Sequence, residues 1–191
     1  MIVRWLGNSS LEIRGEKNLL IDPSFKYEPV TEPDLILVSH EHDDHINPDQ
    51  VKKFSDAKLF APLSVFEDFN IEGEIVKPGE IIEDDIKVLD IDCYNARSSV
   101  AYFYQGVYQT GDAASFPYPE EEVKVLFTAC FPDFYSEYID CCHRLEPELV
   151  IPYHFDPEDE KGIKAAQELA ERLEKEGFAA RLLQLGQEIL V

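Results

Sequence analysis

The stretch Ser39–Ile46, SHEHDDHI, holds three of the chain's five histidines within six positions, with Glu41, Asp43 and Asp44 among them. Imidazole and carboxylate are ligands for divalent metals, and the set suits zinc, manganese or iron without choosing between them. On extended backbone, residues i and i+2 share a face, so His40 and His42 can hold one ion together. Asp44 and His45 follow where the chain turns and face a second position nearby. The pattern H-x-H-x-D-H therefore predicts one or two divalent ions per chain; the pattern itself leaves their identity open, and Zn2+ is expected ahead of Mn2+ or Fe2+.

Further ligands are expected at later strand ends. Asp112 follows a glycine in YQTGDA, where a carboxylate can bridge two ions, and His154 closes ELVIPYH. His143, in SEYIDCCHRLEP, reads as a helix-surface residue. The adjacent Cys141 and Cys142 point apart on a helix, which makes a poor soft-metal site. No pair among Cys93, Cys130, Cys141 and Cys142 has C-x-x-C spacing, so all four read as free thiols.

Alternating elements must position these groups. IVRWL and SLEIRG read as strands around a GNSS turn, with NLLIDP next. DLILVS is a short, continuously apolar run, as in a strand buried on both faces. NPDQVKKF starts a helix, with Asn47 as cap, Pro48 first and Asp49 in the first turn. The histidine stretch is thus a loop between a buried strand and a helix. KLFAP reads as a strand and SVFEDF as a short helix; GEIVKPGEII and IKVLDIDCY read as further strands. VAYFYQGVYQTG is a hairpin turning at Gln105-Gly106. VKVLFTACF and ELVIPYH are buried strands, with a helix around Ile139 between them. The clearest helix is DPEDEKGIKAAQELAERLEKEG, which lines Ile163, Ala166, Ala170 and Leu173 along one face and ends at Gly177. ARLLQL and EILV close the chain as strands. The whole is α/β with a mixed sheet, read as one domain over residues 1–191.

Hydrophobic residues make up 45% of the 191, enough for a sizeable core, and the formal net charge is -22. No apolar run approaches the ~20 residues of a membrane span, and the start of the chain lacks a signal-peptide core, so the cytoplasm is the expected location. The charge disfavours nucleic acid and anionic membrane. Acidic residues are spread along the chain, the pattern of a solvated surface; a cationic partner is the sharper alternative. The oligomeric state is left open.

HEHDDH, TGD and IPYH, in that order, resemble the metallo-β-lactamase superfamily. WLGNSSLEI and LLIDPS are similar to its first hairpins, with Asp22 in a familiar Asp-Pro pair. CYN, SVAYFYQGVYQTGD and LEPELVIPYHF most resemble the small ascorbate-6-phosphate lactonase-like branch. The resemblance implies a four-layer αββα sandwich with the metal site on one edge. By carry-over, His40 and His42 bind a first metal, Asp44, His45 and His154 a second, and Asp112 bridges. It also implies a hydrolase, in which a metal-bound hydroxide attacks a small-molecule ester, lactone, amide or phosphoester. Asp44 would then also accept or relay the proton.

Relatives often supply a third histidine to the first metal; here that region reads DCYNARSS. Asn95 stands near the place and is a candidate metal or water contact, equally readable as a turn residue; Cys93, close by, is a candidate soft ligand in its stead, though it reads more readily as a core thiol. Asn8 in GNSS stands where relatives have a histidine supporting the site. Arg97 is a candidate for an anionic substrate group. Tyr153, with Tyr118, Phe131, Phe134, Tyr135 and Phe155, is a candidate pocket wall. The absent histidine supports a competing reading, a non-catalytic or impaired metal-binding protein. A di-iron oxidoreductase is disfavoured, because that branch carries Glu where His42 stands and a flavin domain.

Overall fold

The computed structural model describes residues 1–191. The first half builds one sheet. Strands β1 (Ile2–Gly7), β2 (Ser10–Arg14), β3 (Leu19–Ile21), β4 (Leu35–Leu37), β5 (Lys58–Ala61) and β6 (Glu74–Ile75) lie side by side, and β13 (Glu188–Leu190) returns to pair with β1. Pairing is antiparallel from β13 to β3 and parallel from β3 to β6. The second sheet runs β12-β11-β10-β9-β8-β7, from β7 (Ile81–Ile82), β8 (Ile86–Asp90), β9 (Val100–Tyr104), β10 (Val107–Gln109), β11 (Val125–Thr128) and β12 (Leu149–Pro152). Its β10, β11 and β12 are parallel, and the rest antiparallel.

Side-chain alternation sets the layers. In β3 and β4, Leu19, Ile21, Leu35 and Leu37 join the main core with residues of the second sheet. Leu20, Ile36 and Val38 face the other way, into a smaller cluster with Val51 of α1 (Pro48–Val51) and Val65 of α2 (Leu63–Asp68). This two-sided burial explains why β4 reads as a continuous apolar run. Against the second sheet pack α3 (Tyr135–Leu145), through Tyr138, Cys141, Cys142 and Leu145, and α4 (Glu160–Lys175), through Ala166, Leu169, Ala170 and Leu173. The four-layer αββα sandwich is as expected, and no helix is long and apolar enough to cross a membrane.

Two strand expectations are corrected. GEIVKPGEII is not one strand: Pro78-Gly79 divides it, leaving β6 in the first sheet and β7 in the second. Gly79 takes φ 87°, which only glycine adopts without strain. ARLLQL is not a strand; Ala180 makes an isolated parallel bridge to Val150, after which the chain leaves the edge of β12 to turn at Gln184–Gln187. Leu183 is buried in the main core there, so tertiary packing decides its course. His143 stands on the exposed side of α3, beside Glu176 and Phe178, whereas Cys141 and Cys142 are buried.

Candidate metal centre

The parallel strands deliver the site. Asp22 follows β3, His40 follows β4, Asp112 follows β10 and His154 follows β12, all at strand C-terminal ends. Beyond β4, the Ser39 N–H leaves the ladder and donates to Asp22 Oδ1 at 2.7 Å. The His45 N–H donates to the His42 carbonyl at 2.9 Å, folding the loop back on itself. The Asn47 side chain then accepts from the Asp49 N–H at 3.0 Å to start α1, as expected. Beyond β12 of the second sheet, the His154 N–H donates to the Asn8 carbonyl at 3.1 Å, and the Asn8 N–H donates to the Phe155 carbonyl at 3.2 Å. The GNSS turn thus ties the end of β12 to the first sheet. Asp22 and His154 both sit at positive φ, 48° and 62°, a left-handed conformation uncommon outside glycine but one that Asp and His enter more readily than most residues.

Two groups of donors converge. His40 Nε2 lies 3.0 Å from His42 Nδ1 and 3.5 Å from Cys93 Sγ, and Asp112 Oδ2 lies 3.7 Å from both His40 Nε2 and Cys93 Sγ. His45 Nε2 lies 2.9 Å from His154 Nε2, and Asp112 Oδ1 is 2.8 Å from each. Asp44 Oδ2 completes this second group, 3.4 Å from His154 Nε2. Asp112 therefore turns one oxygen to each group. Asp112 Oδ1 is buried without an aligned hydrogen-bond partner, although two imidazole nitrogens crowd it. Such convergence needs positive charge at its centre, from protons on the imidazoles or from metal ions. The donors of both groups, an imidazole, carboxylate and thiol set, fit borderline metals such as zinc or iron.

The electrostatics show how tightly the groups are coupled. Burial disfavours the charged form of His40, the charge of His45 adds to this, and its pKa falls to about 2. Burial also opposes charge on His154, but the Asp112 carboxylate outweighs it and raises the pKa to about 9. For His45, burial is likewise outweighed by Asp112 and Asp22, and the pKa rises well above the ordinary value. Burial and the Asp112 charge push the Cys93 thiol far up, so its thiolate requires a cation beside it.

A buried frame fixes the ligands. Asp22 is fully buried, and its Oδ2 accepts from His45 Nδ1 at 2.8 Å, Gln109 Nε2 at 2.8 Å and Ser39 Oγ at 2.9 Å. Ser39 Oγ also lies 3.0 Å from His40 Nδ1 and from His45 Nδ1. Both rings are thus held by the nitrogen that faces away from the site. Glu41, buried between His40 and His42 in the chain, accepts from the Arg97 N–H at 2.6 Å and from Ser64 Oγ at 2.7 Å. This ties the histidine loop to the segment that carries Cys93. His154 Nδ1 has no partner; its ring is held by packing against Phe131, 5.3 Å between centroids.

Cavities open on both sides of the donors. One of about 450 Å3 is lined by Asn8, Asp44, His154, Phe155 and Asp156, and another of about 620 Å3 by His42, Cys93, Tyr94, Asp112 and Phe134. Phe131 and Pro132 line both.

A family model described as the beta-lactamase superfamily domain matches residues 2–116. The chain belongs to the beta-lactamase superfamily. Within this superfamily it is 29% identical over 139 residues to a UPF0173 metal-dependent hydrolase of Thermococcus onnurineus, a match covering 64% of this chain and 58% of that one. A UPF0173 metal-dependent hydrolase of Saccharolobus solfataricus is 25% identical over 227 residues, covering 98% of each. The chain thus spans less than two thirds of the length of the Thermococcus relative, and 54% of two further archaeal relatives. Among solved structures, the metallo hydrolase Igni18 of Ignicoccus hospitalis superposes with a TM-score of 0.73 at 18% identity, over 98% of this chain and 97% of that one. That likeness concerns the superfamily fold.

The structure brings together His40, His42, Asp44, His45, Asp112 and His154, and adds Cys93. Four sequence expectations need correction. Asn95 is not at the first group; it is exposed at φ 61°, in the left-handed position of a turn in which the Ala96 N–H reaches the Cys93 carbonyl. Cys93 takes the place instead, because the turn buries position 93 and exposes position 95. Arg97 is not free for a substrate: its guanidinium contacts Asp68 at 2.6 Å, Glu67 at 3.3 Å and Glu41 at 3.5 Å. Tyr153 is fully buried, its hydroxyl accepting from Gln109 Nε2 at 2.9 Å, and cannot touch a substrate. Asn8 does not bond a ligand side chain; its amide donates to the Ser24 carbonyl at 3.2 Å. Of the aromatic candidates, Phe131, Phe134 and Phe155 do line the cavities, Tyr135 and Tyr153 are core, and Tyr118 lines neither cavity. Sequence reasoning missed Ser39, Gln109, Glu41 and Tyr94. Ser39 and Glu41 flank His40 in sequence, which was their only signal.

Proposed function

We propose that the protein is a metal-dependent hydrolase acting on a small molecule through an ester, lactone, amide or phosphoester bond, as one unit over residues 1–191. The observation that carries this reading is the convergence of seven donor side chains on two adjoining positions shared by Asp112. His40, His42, Cys93 and Asp112 would hold a first ion, and Asp44, His45, His154 and Asp112 a second. When bound, such a pair lowers the pKa of water from ~15.7 towards ~7 and offsets charge developing on the attacked group. The chain's own residues hold and orient. Asp22 and Ser39 keep His45 and His40 in one ring orientation, and Glu41 secures the loop between them. Asp44 is the acidic member most open to solvent, its side chain 52% exposed, and lines the cavity beside His154. A carboxylate so placed can take a proton from the attacking water and pass it to solvent.

The competing reading, a binding protein with a degraded first position, drew its support from the absent histidine. Cys93 offers a fourth donor there, which favours catalysis. The relatives' shared description as metal-dependent hydrolases supports the same choice. The test is metal analysis of the purified protein, then a hydrolase panel with Zn2+, Mn2+ and Fe2+ supplied separately. Two tightly held ions with metal-dependent turnover are expected. One ion or none, with no turnover on any class of bond, would defeat the reading.

A further inference from the structure

We infer that the cavity beside the first metal position is a subsite for a positively charged group, so that the substrate carries an ammonium or similar cation. This rests on the hydrolase reading for its word "substrate", but the subsite is argued from the cavity alone.

The cavity, about 620 Å3, opens directly on His42, Cys93 and Asp112. Its remaining wall is Tyr94, Phe131, Phe134, Ala114 and Pro132, with Asp92 and Asp133. Tyr94 and Phe134 are exposed, 85% and 42%, and put aromatic surface on the wall of this cavity. Aromatic faces attract cations through the ring quadrupole, and paired carboxylates add to the attraction. No lysine or arginine lines this cavity. The one arginine on the same segment, Arg97, lines a different cavity and is already paired with Glu67 and Asp68. An anionic substituent would therefore find no counter-charge here except the metal ions, and would face Asp92 and Asp133. The net charge of -22 extends the same preference over longer range. A sugar phosphate, with its charge away from the bond being cleaved, is the wrong class for this wall.

The competing cavity beside His154 does not share this chemistry. It carries Lys161 among Asp44, Asp156 and Asp159 and has no comparable aromatic exposure. The reacting bond would lie over the donor groups, with the cationic end projecting past Cys93 towards Tyr94 and Phe134.

The test uses three aromatic probes of similar size, benzyltrimethylammonium, benzyl alcohol and benzenesulfonate, titrated into the zinc-loaded protein at physiological salt and followed by NMR. The ammonium probe should bind at least tenfold more tightly than the alcohol, with its shifts centred on Ala114, Phe131 and Phe134. The sulfonate should be the weakest. Replacing both exposed carboxylates (Asp92→Asn with Asp133→Asn) should weaken the ammonium probe about fivefold and leave the alcohol unchanged, and Phe134→Leu should weaken it as well. Tighter binding of the sulfonate, equal binding of all three, no binding, or an ammonium preference that survives these variants would overturn the subsite. In parallel, a neutral ester and its trimethylammonium analogue are assayed for hydrolysis. Ammonium binding with no turnover of either ester or of any bond class in the hydrolase panel would defeat the hydrolase reading and leave the subsite standing; hydrolysis with no ammonium preference would do the reverse.

Discussion

Replacing Asp22 by asparagine tests whether the buried frame holds the centre. The wild-type carboxylate accepts four hydrogen bonds: Ser39 N–H on Oδ1, and His45 Nδ1, Gln109 Nε2 and Ser39 Oγ on Oδ2. An amide offers one acceptor oxygen and an NH2 group. Whichever way it turns, an N–H meets a donor: the Ser39 N–H in one orientation, Gln109 and His45 in the other. One charge-assisted bond is lost, about 1.5–3 kcal/mol, and one buried donor is left unpaired, about 1–3 kcal/mol. The expected destabilisation is about 2.5–6 kcal/mol, read as a melting temperature lower by roughly 5–24 °C for a chain of this size. His45 also loses the partner that fixes its ring, so affinity at the second position should fall about 10–100-fold. The first position, whose ligands do not touch Asp22, should change much less. Asp22→Ala removes all four of these bonds and should be worse on both counts. The assays are thermal melts in chelator and calorimetric zinc titration of the three proteins. Melting within about 2 °C of wild type, with second-position affinity within threefold, would refute the reasoning.

Cobalt in place of zinc should give a sulfur-to-metal charge-transfer band that Cys93→Ser abolishes and Asn95→Ala leaves intact; a band lost with Asn95 instead would return the ligand role to that residue. A pH series should show opposite trends with and without metal. His154 has its pKa raised to about 9. In chelator, its contribution to stability is present below about 6.5 and lost as pH rises through about 9, an effect on the order of 3 kcal/mol at most. Zinc must displace that proton, so zinc affinity should rise over the same range, and a melting temperature that fell with pH in both states would contradict His154 ligation. Zinc held at 100 times its Kd should stabilise the fold by about 2.7 kcal/mol, and a chelator should remove this gain; melting unaffected by chelator would argue against a metal in the folded protein. Finally, Glu41→Gln should loosen the tie to Arg97 and Ser64 and lower first-position affinity before second-position affinity, measured in the same calorimetric titration.

The local elements and the metal-ligand types were written in the sequence. The apolar run before SHEHDDHI, the Asn47-Pro48 cap, the hairpin at Gln105-Gly106 and the amphipathic α4 each depend on residues close together in the chain. So do the spacing of His40, His42, Asp44 and His45 and the strand-end positions of Asp112 and His154. Short-range sterics and periodicity act over a few residues, and a single sequence displays them. Tertiary structure decided what depends on contacts between distant segments. Position 93 rather than 95 faces the first group because the turn there meets a loop some fifty residues earlier. Arg97 is consumed by acidic residues of α2, Tyr153 by Gln109 inside the sandwich, and Ala180 by the edge of β12. Asp22 gained its role only where β3, β4 and β10 end side by side. No local propensity encodes such pairings, because their free energy comes from burial and from polar groups satisfied across the two sheets.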